Sequence, residues 1–592
     1  MKLSNILIVF LVLYSIRIYS TNYYFSESLG NDAWSGRISM PNGSQSDGPK
    51  KSLTALNNLL NSGLTPGDSV FLRRGDRWIE NSGIAVNAAQ GRLDQYLFVG
   101  AYGTGSKPRI EKSGAGEILL CRGSANAATS FITFQNLDLL SNSPIGSRPI
   151  GVYINESFYN LKPHHIILDG LKIQGCQSGM ILYQNNIIVE NCLLEKNGND
   201  NQGQGIFCSA TDVQFKSNVL DSNGCGSVFV HSIYISQSKN ILFEGNEIKN
   251  ADDGLKLRAS ENLIIRNNRI HNTYIHTMHV GGDQSAGTKN IIIEGNLIYD
   301  APQGLRISSE SGTQTLLSEN IMVRNNIFPA QVFISDNGPV KDIYFFNNLI
   351  HTGANQPFLF LTNAINPINL QIINNIFYKT TATVVHSLLG FISNTGLNGI
   401  TLDHNLYYYP AGGRNILNIG NNYYTTLASF RTNHPTHELN GVQGNPNFVS
   451  ATDFHLTSSS NLAIDKGTSL TGSVSSDFDG RIRPIDGDGD GTVLLDIGPY
   501  EYCCAVATKQ DLIKQDQSYV YPNPSQDQIT IISAQGIPDK IILIDLTGNV
   551  VIENNASMQQ TNLNVTSLNR GVYIIQVYNR SNSVESIKFV KY

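Results

Sequence analysis

Short apolar runs in this chain open and close on asparagine, in the form Asn-φ-φ-φ-x-x-Asn, where φ is an apolar residue. The clearest copies run from Asn240 to Asn246, Asn262 to Asn268, Asn290 to Asn296 and Asn320 to Asn326. Asn369 to Asn375 fits with Gln371 interrupting it, and weaker copies end at Asn136, Asn218, Asn348 and Asn405. From 218 onward the closing asparagines fall at 246, 268, 296, 326, 348, 375 and 405, at intervals of 22 to 30 residues. A unit of this length cannot bury its apolar face alone, so copies must stack into a continuous core. The runs are rich in β-branched residues and lack helical spacing, which argues for a parallel β-helix. Asparagine suits the turn: it tolerates the left-handed region, and stacked side-chain amides bond along the axis. Leucine-rich repeats would show Leu at fixed offsets and a helical half. Propeller blades would need longer, four-stranded repeats.

Between these runs lie four shorter segments: Ser232-Ile-Tyr-Ile-Ser236, Gly254-Leu-Lys-Leu-Arg258, Thr277-Met-His-Val-Gly281 and Gly304-Leu-Arg-Ile-Ser308. Alternation of period two puts their apolar residues on one face and the middle residue on the other. If each is one strand of successive coils, the middle residues stack as Tyr234, Lys256, His279 and Arg306. At about 4.8 Å per coil that column spans roughly 14 Å, room for a few sugar units. The same position on the two preceding coils holds Ile181 and Phe207, so the reactive set is local. The alignment assumes loops of five and eight extra residues before Asn290 and Asn320. Arg258 lies on the same face as Lys256, His231, Asp253 and His276 stand just before the strands, and Asp252 and Asp283 are near in sequence.

Proton abstraction beside a carboxylate suits this set. A uronate C5 proton becomes acidic once its carboxylate is neutralised, here by Arg258 or Arg306. Lys256, His279 and Tyr234 are the candidate bases. The catalytic expectation is therefore Lys256, His279, Tyr234 and Arg306, with Arg258, His231, His276, Asp253 and Asp283 holding substrate. An outward Lys, Arg, Tyr or His on a solenoid is also what a plain solvated face would carry.

The rest of the chain frames this region. Lys2 followed by the apolar run from Ile6 to Tyr14, with Ser15 and Ser20, has the pattern of a secretory signal peptide cut near Ser20–Thr21. That run is too short to span a membrane, and no later stretch is longer. Lys+Arg 41 against Asp+Glu 47 leaves a formal net charge of −6, which excludes general nucleic-acid affinity and predicts a soluble protein, expected as a monomer. Seven cysteines, scattered and odd in number, point to buried free thiols rather than a disulfide framework or a zinc site.

Residues 21–115 are expected to form an N-terminal cap and lead-in region. Leu53, Leu56, Leu59 and Leu60 there mark one amphipathic helix able to cover an open coil. The solenoid is expected over 116–502. Near its end, Asp486-Gly-Asp-Gly-Asp-Gly491 places Asp486, Asp488 and Asp490 on alternate residues, a candidate calcium loop; a Glu at the twelfth position is missing, since Ile497 stands there. A polar linker over 503–517 precedes a small β-domain at 518–592, with strands near Gln528–Ser533, Lys540–Asp545, Asn549–Glu553, Gly571–Tyr578 and Ser586–Val590.

The coils, with Pro66-Gly-Asp-Ser-Val-Phe-Leu-Arg-Arg-Gly-Asp-Arg-Trp78, resemble secreted right-handed parallel β-helix proteins, a group that includes pectate and alginate lyases, uronan C5-epimerases and several glycosidases. The resemblance covers about 22–502 and implies a polysaccharide-active enzyme without naming its substrate. Asp252-Asp-Gly254 is similar to a calcium-binding Asp-Asp-Gly of one pectate lyase group, but Lys256 stands where that group has a further Asp. Tyr521-Pro-Asn-Pro524, Leu546-Thr-Gly-Asn549, Leu568-Asn-Arg-Gly-Val-Tyr573 and Lys588-Phe-Val-Lys-Tyr592 resemble the C-terminal sorting domain of Bacteroidetes type IX secretion. A carbohydrate-binding β-sandwich is the other candidate for this domain. The sorting resemblance implies the type IX machinery as partner and a secreted or cell-surface location. The expectation is thus an all-β chain: a right-handed parallel β-helix with an N-terminal cap, then a small C-terminal β-sandwich. Its expected activity is lyase cleavage of an acidic, uronic-acid-containing polysaccharide. A glycoside hydrolase, a C5-epimerase and a non-catalytic glycan-binding adhesin stay open; a hydrolase needs two outward carboxylates about 5–9.5 Å apart, which the column lacks.

Overall fold

The computed structural model describes residues 20–503 and 518–591, apart from short internal segments of which the longest are 310–317 and 380–386. The expected leader and linker fall almost wholly outside these residues, as do Pro522–Pro524 and Leu546–Gly548. The chain divides into two compact units at Cys503.

The first unit is a right-handed parallel β-helix. A 14-stranded sheet runs up one side, and the remaining strands of each coil pair in a second sheet system. The cause is visible in one column of the 14-stranded sheet. Val213, Ile241, Leu263, Ile291, Ile321, Ile343 and Leu370 lie in register on successive strands, and all are buried. Each coil thus covers the apolar face of the next, at about 25 cal/mol for every Å² removed from water.

The closing asparagines form the expected axial ladder. Asn218, Asn246, Asn268, Asn296, Asn326, Asn348, Asn375 and Asn405 are buried. Each of the first seven donates both its backbone N–H and its Nδ2 to the Oδ1 of the next; Asn268 on Asn296, for example, does so at 3.0 and 2.9 Å. The left-handed backbone, however, is not theirs. It belongs to the residue just before, Gly245, Asn267, Gly295, Asn325, Asn347 and Asn374, and to the opening residues Asn240, Asn262, Asn290 and Asn320. The closing position needs the amide for bonding; the turn needs its left-handed residue one place earlier. Asn136, with φ 57, is such a turn residue, and buried Leu137 takes the ladder place beside it. The ladder ends on the buried Glu438, whose Oε1 accepts from Asn405 Nδ2 (2.8 Å) and from the Tyr407 hydroxyl (2.7 Å). Burial pushes this carboxyl up to about 7.

The coils begin well before residue 116. Asn22–Phe25 pairs in parallel with Ser69–Arg73, that strand with Leu97–Tyr102, and that with Ser130–Gln135. The asparagine repeat does not reveal these coils, because Asp76 and Pro108 hold the ladder position there, and Leu137 and Leu171 hold it in the two coils that follow. The helix Leu53–Ser62 is capped by Ser52, whose hydroxyl accepts from the Ala55 N–H, and buries Leu53, Leu56 and Leu60. Its Asn57 and Asn61 pair with the edge of the strand Ile84–Val86: Asn57 with Gly83 O (2.9 Å) and Ala85 N (2.9 Å), Asn61 with Ala85 O (2.8 Å) and Asn87 N (2.7 Å). The helix therefore covers unpaired backbone that would otherwise template further strands.

At the other end the last parallel strand is Val442–Gln443. Residues beyond it add no further coil among the described residues. They lie on the outside of the solenoid, where Leu456, Ala463, Ile464, Ile497 and Tyr500 cover the outward apolar column Ile327, Leu349, Ile376 and Leu406. A fully buried Arg483–Glu501 pair (2.7 Å) and the Arg483 Nη1 bond to Asn325 Oδ1 (2.8 Å) fasten this segment.

The second unit is a β-sandwich. Tyr519–Tyr521, Gln528–Ile532 and Gln560–Asn564 form one antiparallel sheet. Lys540–Asp545, Val550–Asn554, Gly571–Tyr578 and Val584–Lys591 form the other. Ile529, Ile531, Leu543, Leu563, Ile575 and Phe589 from both meet in one core.

Candidate functional site

The predicted column exists. Phe207 pairs with Tyr234, Tyr234 with Lys256, Lys256 with His279 and His279 with Arg306 on adjacent parallel strands. The inserted loops leave this register intact. One irregularity lies beside it: Ala251 pairs with Thr273 but Asp253 with His276, so Tyr274 and Ile275 oppose the single residue Asp252. Such a bulge re-aims side chains, and here it brings His276 against Asp253.

Asp253 is the centre of the polar cluster. Its Oδ1 accepts from the His276 backbone N–H (3.0 Å) and from His276 Nδ1 (2.8 Å). Its Oδ2 lies 3.0 Å from His231 Nδ1, close enough for charge attraction though poorly angled for a hydrogen bond. Burial alone would raise the Asp253 pKa. The contacts with His231 and His276 more than reverse this and hold the carboxyl far below its usual range, so it is ionised at neutral pH. On the far side of the ring, His276 Nε2 accepts from Arg306 Nη1 at 3.2 Å. Arginine can only donate, so the proton of His276 sits on Nδ1, facing Asp253. The result is an oriented chain: Asp253, His276, Arg306.

The other column members differ in access. His279 is 3% exposed, and its Nε2 lies 3.0 Å from Ser308 Oγ. Gly281 makes room for that contact, since a Cβ there would come within 2.7 Å of Ser308 Oγ. Lys256 and Tyr234 are partly exposed. Tyr234 packs against His231 (5.2 Å) and Phe207 (5.6 Å), and the aromatic run continues through Tyr183 and Tyr153. Arg258 Nε donates to Gly282 O at 3.0 Å. Asp252 Oδ2 accepts from the Gly226 N–H at 2.5 Å, pinning the loop before Tyr234. Asp283 does not join the cluster. Its Oδ1 accepts from Ser285 N (2.7 Å) and Ala286 N (2.9 Å), and its Oδ2 from Gln237 (3.3 Å). Burial opposes, but the Ser285 hydroxyl bond to Oδ1 (2.6 Å) and these bonds together lower Asp283 to about 2. It holds its own loop.

Two residues that sequence reasoning passed over stand beside this site in sequence. Phe229 is 79% and Tyr274 67% exposed. Each stands two residues before a cluster histidine, His231 and His276, and that shared spacing was the available signal.

Away from the column, the acidic loop gathers a different trio from the one expected. Carboxylate oxygens of Asp465, Asp486 and Asp488 lie within 4.8 Å of one another. Asp490 is outside that trio and accepts from the Thr492 N–H at 2.6 Å. Asp465 also takes the N–H groups of Gly487 and Asp488, each at 2.9 Å. An all-oxygen set of this kind suits a hard cation. Cys121, Cys176, Cys192 and Cys208 are free and buried, and burial pushes the last three up to about 12.

Comparison with known proteins agrees with the architecture. Residues 227–377 match the family model "Right handed beta helix region", and residues 122–285 the model "Periplasmic copper-binding protein (NosD)". Residues 519–591 match "Secretion system C-terminal sorting domain", and this unit marks the chain for type IX export to the cell surface or beyond. Among the described residues no helix is long and apolar enough to cross a membrane. No curated protein matches the chain. Similar solved structures include a GH136 lacto-N-biosidase from Eubacterium ramulus, at 14% identity over 72% of this chain and 66% of that one, TM-score 0.27. Others are a mannuronan C-5 epimerase A-module from Azotobacter vinelandii (14%, 58% and 85%, TM-score 0.35) and the pectate lyase Pel9A (13%, 82% and 98%, TM-score 0.37).

Proposed function

We propose that the protein is a secreted enzyme that cleaves a uronic-acid polysaccharide by β-elimination in the groove over Tyr234, Lys256, His276 and Arg306. The observation that carries this is the register of the column together with the Asp253–His276–Arg306 chain beside it. Arg306 and Lys256 supply positive charge to a substrate carboxylate, which acidifies the C5 proton. A base takes that proton, its electron pair forms the C4–C5 double bond, the C4–O bond breaks, and the leaving oxygen takes a proton from an acid. His276 is a better-placed base than His279, because Asp253 fixes its tautomer and its Nε2 lone pair is released once Arg306 turns to the substrate carboxylate, whereas His279 is closed in against Ser308. Tyr234 and Lys256 are the candidate acids. Among the described residues the column itself holds no carboxylate, and Asp253 beside it is buried and committed to His276, which favours elimination over hydrolysis.

The test is ultraviolet absorbance during incubation with polygalacturonate, alginate and other polyuronates. An absorbing unsaturated product supports elimination. New reducing ends without absorbance would mean hydrolysis, and a changed C5 configuration at constant chain length would mean epimerisation. Lys256→Ala and His276→Ala should each lower turnover by about 10² or more.

A further inference from the structure

The outer face of the 14-stranded sheet carries a second surface, on strands that do not hold the Lys256 column. Ile167, Ile188, Gln214, Leu242 and Ile264 lie in register on successive strands and form its floor. Along one edge runs another column: Phe131, His165, Asn186, Asp212, Asn240 and Asn262. All six are in the left-handed region, with φ between 52 and 60. Asparagine and aspartate enter that region at little cost, whereas bulky residues are strained there. The coils that depart from Asn or Asp are neighbours, and both substitute a ring. Strain retained at one place in a regular repeat points to a use for the strained side chains.

The geometry shows that use. The Phe131 and His165 rings stack at 4.5 Å, and Tyr96 meets Phe131 edge-on at 5.6 Å. Tyr96 and His165 line one end of a groove of about 420 Å3 whose floor is Ile167, Ile188, Leu242 and Ile264. Down its side, Asn262 Nδ2 donates to Asn240 Oδ1 (3.0 Å) and Asn240 Nδ2 to Asp212 Oδ1 (2.9 Å). Each of these NH2 groups carries a second hydrogen beyond that bond. Flanking charges are matched, Arg266 with Glu244 (2.7 Å) and Lys239 with Glu261 (3.2 Å).

We infer that this groove binds an uncharged oligosaccharide, with sugar faces on the aromatic wall and aliphatic floor and hydroxyls on the Asn/Asp row. Rings and amides together match a ligand with apolar faces and hydroxyl edges. Asp212 in that row would repel an anionic chain, and the flanking Arg266 and Lys239 are already held by carboxylates. A peptide strand would seek a sheet edge, and this is a sheet face. The inference stands apart from the proposed lyase activity, since it uses another sheet and other residues.

Affinity electrophoresis of the full-length protein in gels containing arabinoxylan, galactomannan or mixed-linkage β-glucan tests it, with polygalacturonate as the charged comparison. At least one neutral polymer should retard the protein. The double variant Phe131→Asn, His165→Asn should bind at least about tenfold more weakly. Its unfolding temperature should hold or rise, because asparagine is what other coils carry at this φ. Tyr96→Ala removes part of the wall without touching a left-handed position and should also weaken retardation. The inference fails if no neutral polymer retards the protein, if folded variants bind like the parent, or if retardation occurs with polygalacturonate alone. It also fails if sedimentation shows a dimer that the double variant dissolves, which would make this face an interface between copies.

Discussion

Replacing Asn296 by alanine should open the solenoid locally, and the structure sets the scale. The Asn296 side chain makes four hydrogen bonds: Oδ1 accepts from Asn268 N (3.0 Å) and Asn268 Nδ2 (2.9 Å), and Nδ2 donates to Ile265 O (2.9 Å) and Asn326 Oδ1 (2.9 Å). Alanine removes all four. The Asn268 backbone N–H and side-chain amide lose their acceptor in a site with 0% exposure at position 296. A buried unsatisfied polar group costs about 1–3 kcal/mol, so two of them cost about 2–6 kcal/mol before the new cavity is counted. Repeat architectures hold stability in nearest-neighbour terms, so the loss should appear locally before it appears globally. Hydrogen exchange should therefore speed up at the Asn268 amide by about a hundredfold, the equivalent of about 3 kcal/mol. Asn290→Ala in the same coil is the comparison. That side chain makes two exposed bonds, to Asn262 (2.9 Å) and from Asn320 (2.8 Å), and its loss should cost only about 1 kcal/mol. Equal exchange rates in the two variants would refute the claim that buried amide pairing, rather than turn preference, holds the coils.

Other perturbations have defined outcomes. Asp253→Asn keeps the volume of the side chain but releases the His276 tautomer, and should cut turnover on any substrate the protein degrades by about 10² or more with little change in fold. Asp253 has a depressed pKa in the folded state, so its contribution to stability is present above about pH 4 and fades as pH falls below it. The unfolding temperature should therefore fall as pH drops from about 4 toward 2, and fall less steeply in Asp253→Asn; equal slopes would dismiss this contribution. His455 lies between Asp479 (2.8 Å) and Asp453, which against the effect of burial raise it to about 9. Its contribution is full below about pH 6.5 and lost as pH rises through 9, so the unfolding temperature should decline over that window and the decline should be shallower in His455→Gln; an unchanged slope would dismiss the pair. Calcium at a hundred times its dissociation constant should stabilise the parent by about 2.7 kcal/mol and leave Asp465→Asn unmoved, whereas no effect on the parent would mean the acidic loop holds no cation. Deleting 518–592 should keep the protein inside the cell envelope with its solenoid intact, and normal appearance in the medium would give that unit another task.

What the sequence determined by itself is the periodic part of the protein. An apolar run closed by asparagine every 22 to 30 residues has one economical solution, stacked coils with an amide ladder, and the same periodicity put Tyr234, Lys256, His279 and Arg306 in one column across loops of unequal length. The sorting unit was legible from its short motifs in order. Where the sequence was silent, long-range packing decided. The first coils carry Asp76, Pro108, Leu137 and Leu171 in the ladder place and so escape a search for asparagine. The segment after Gln443 covers an outward apolar column that pattern alone assigns to no partner. A one-residue shift separates the left-handed turn from the ladder. The site depended most on tertiary structure. Only the bulge between Asp252 and His276 sets a ring against Asp253, only burial closes off His279, and only the fold brings Asp465 to Asp486 and Asp488 across more than twenty residues of chain. Periodicity is a property of neighbours along the chain, whereas orientation and access depend on atoms from other coils, and no local pattern encodes those.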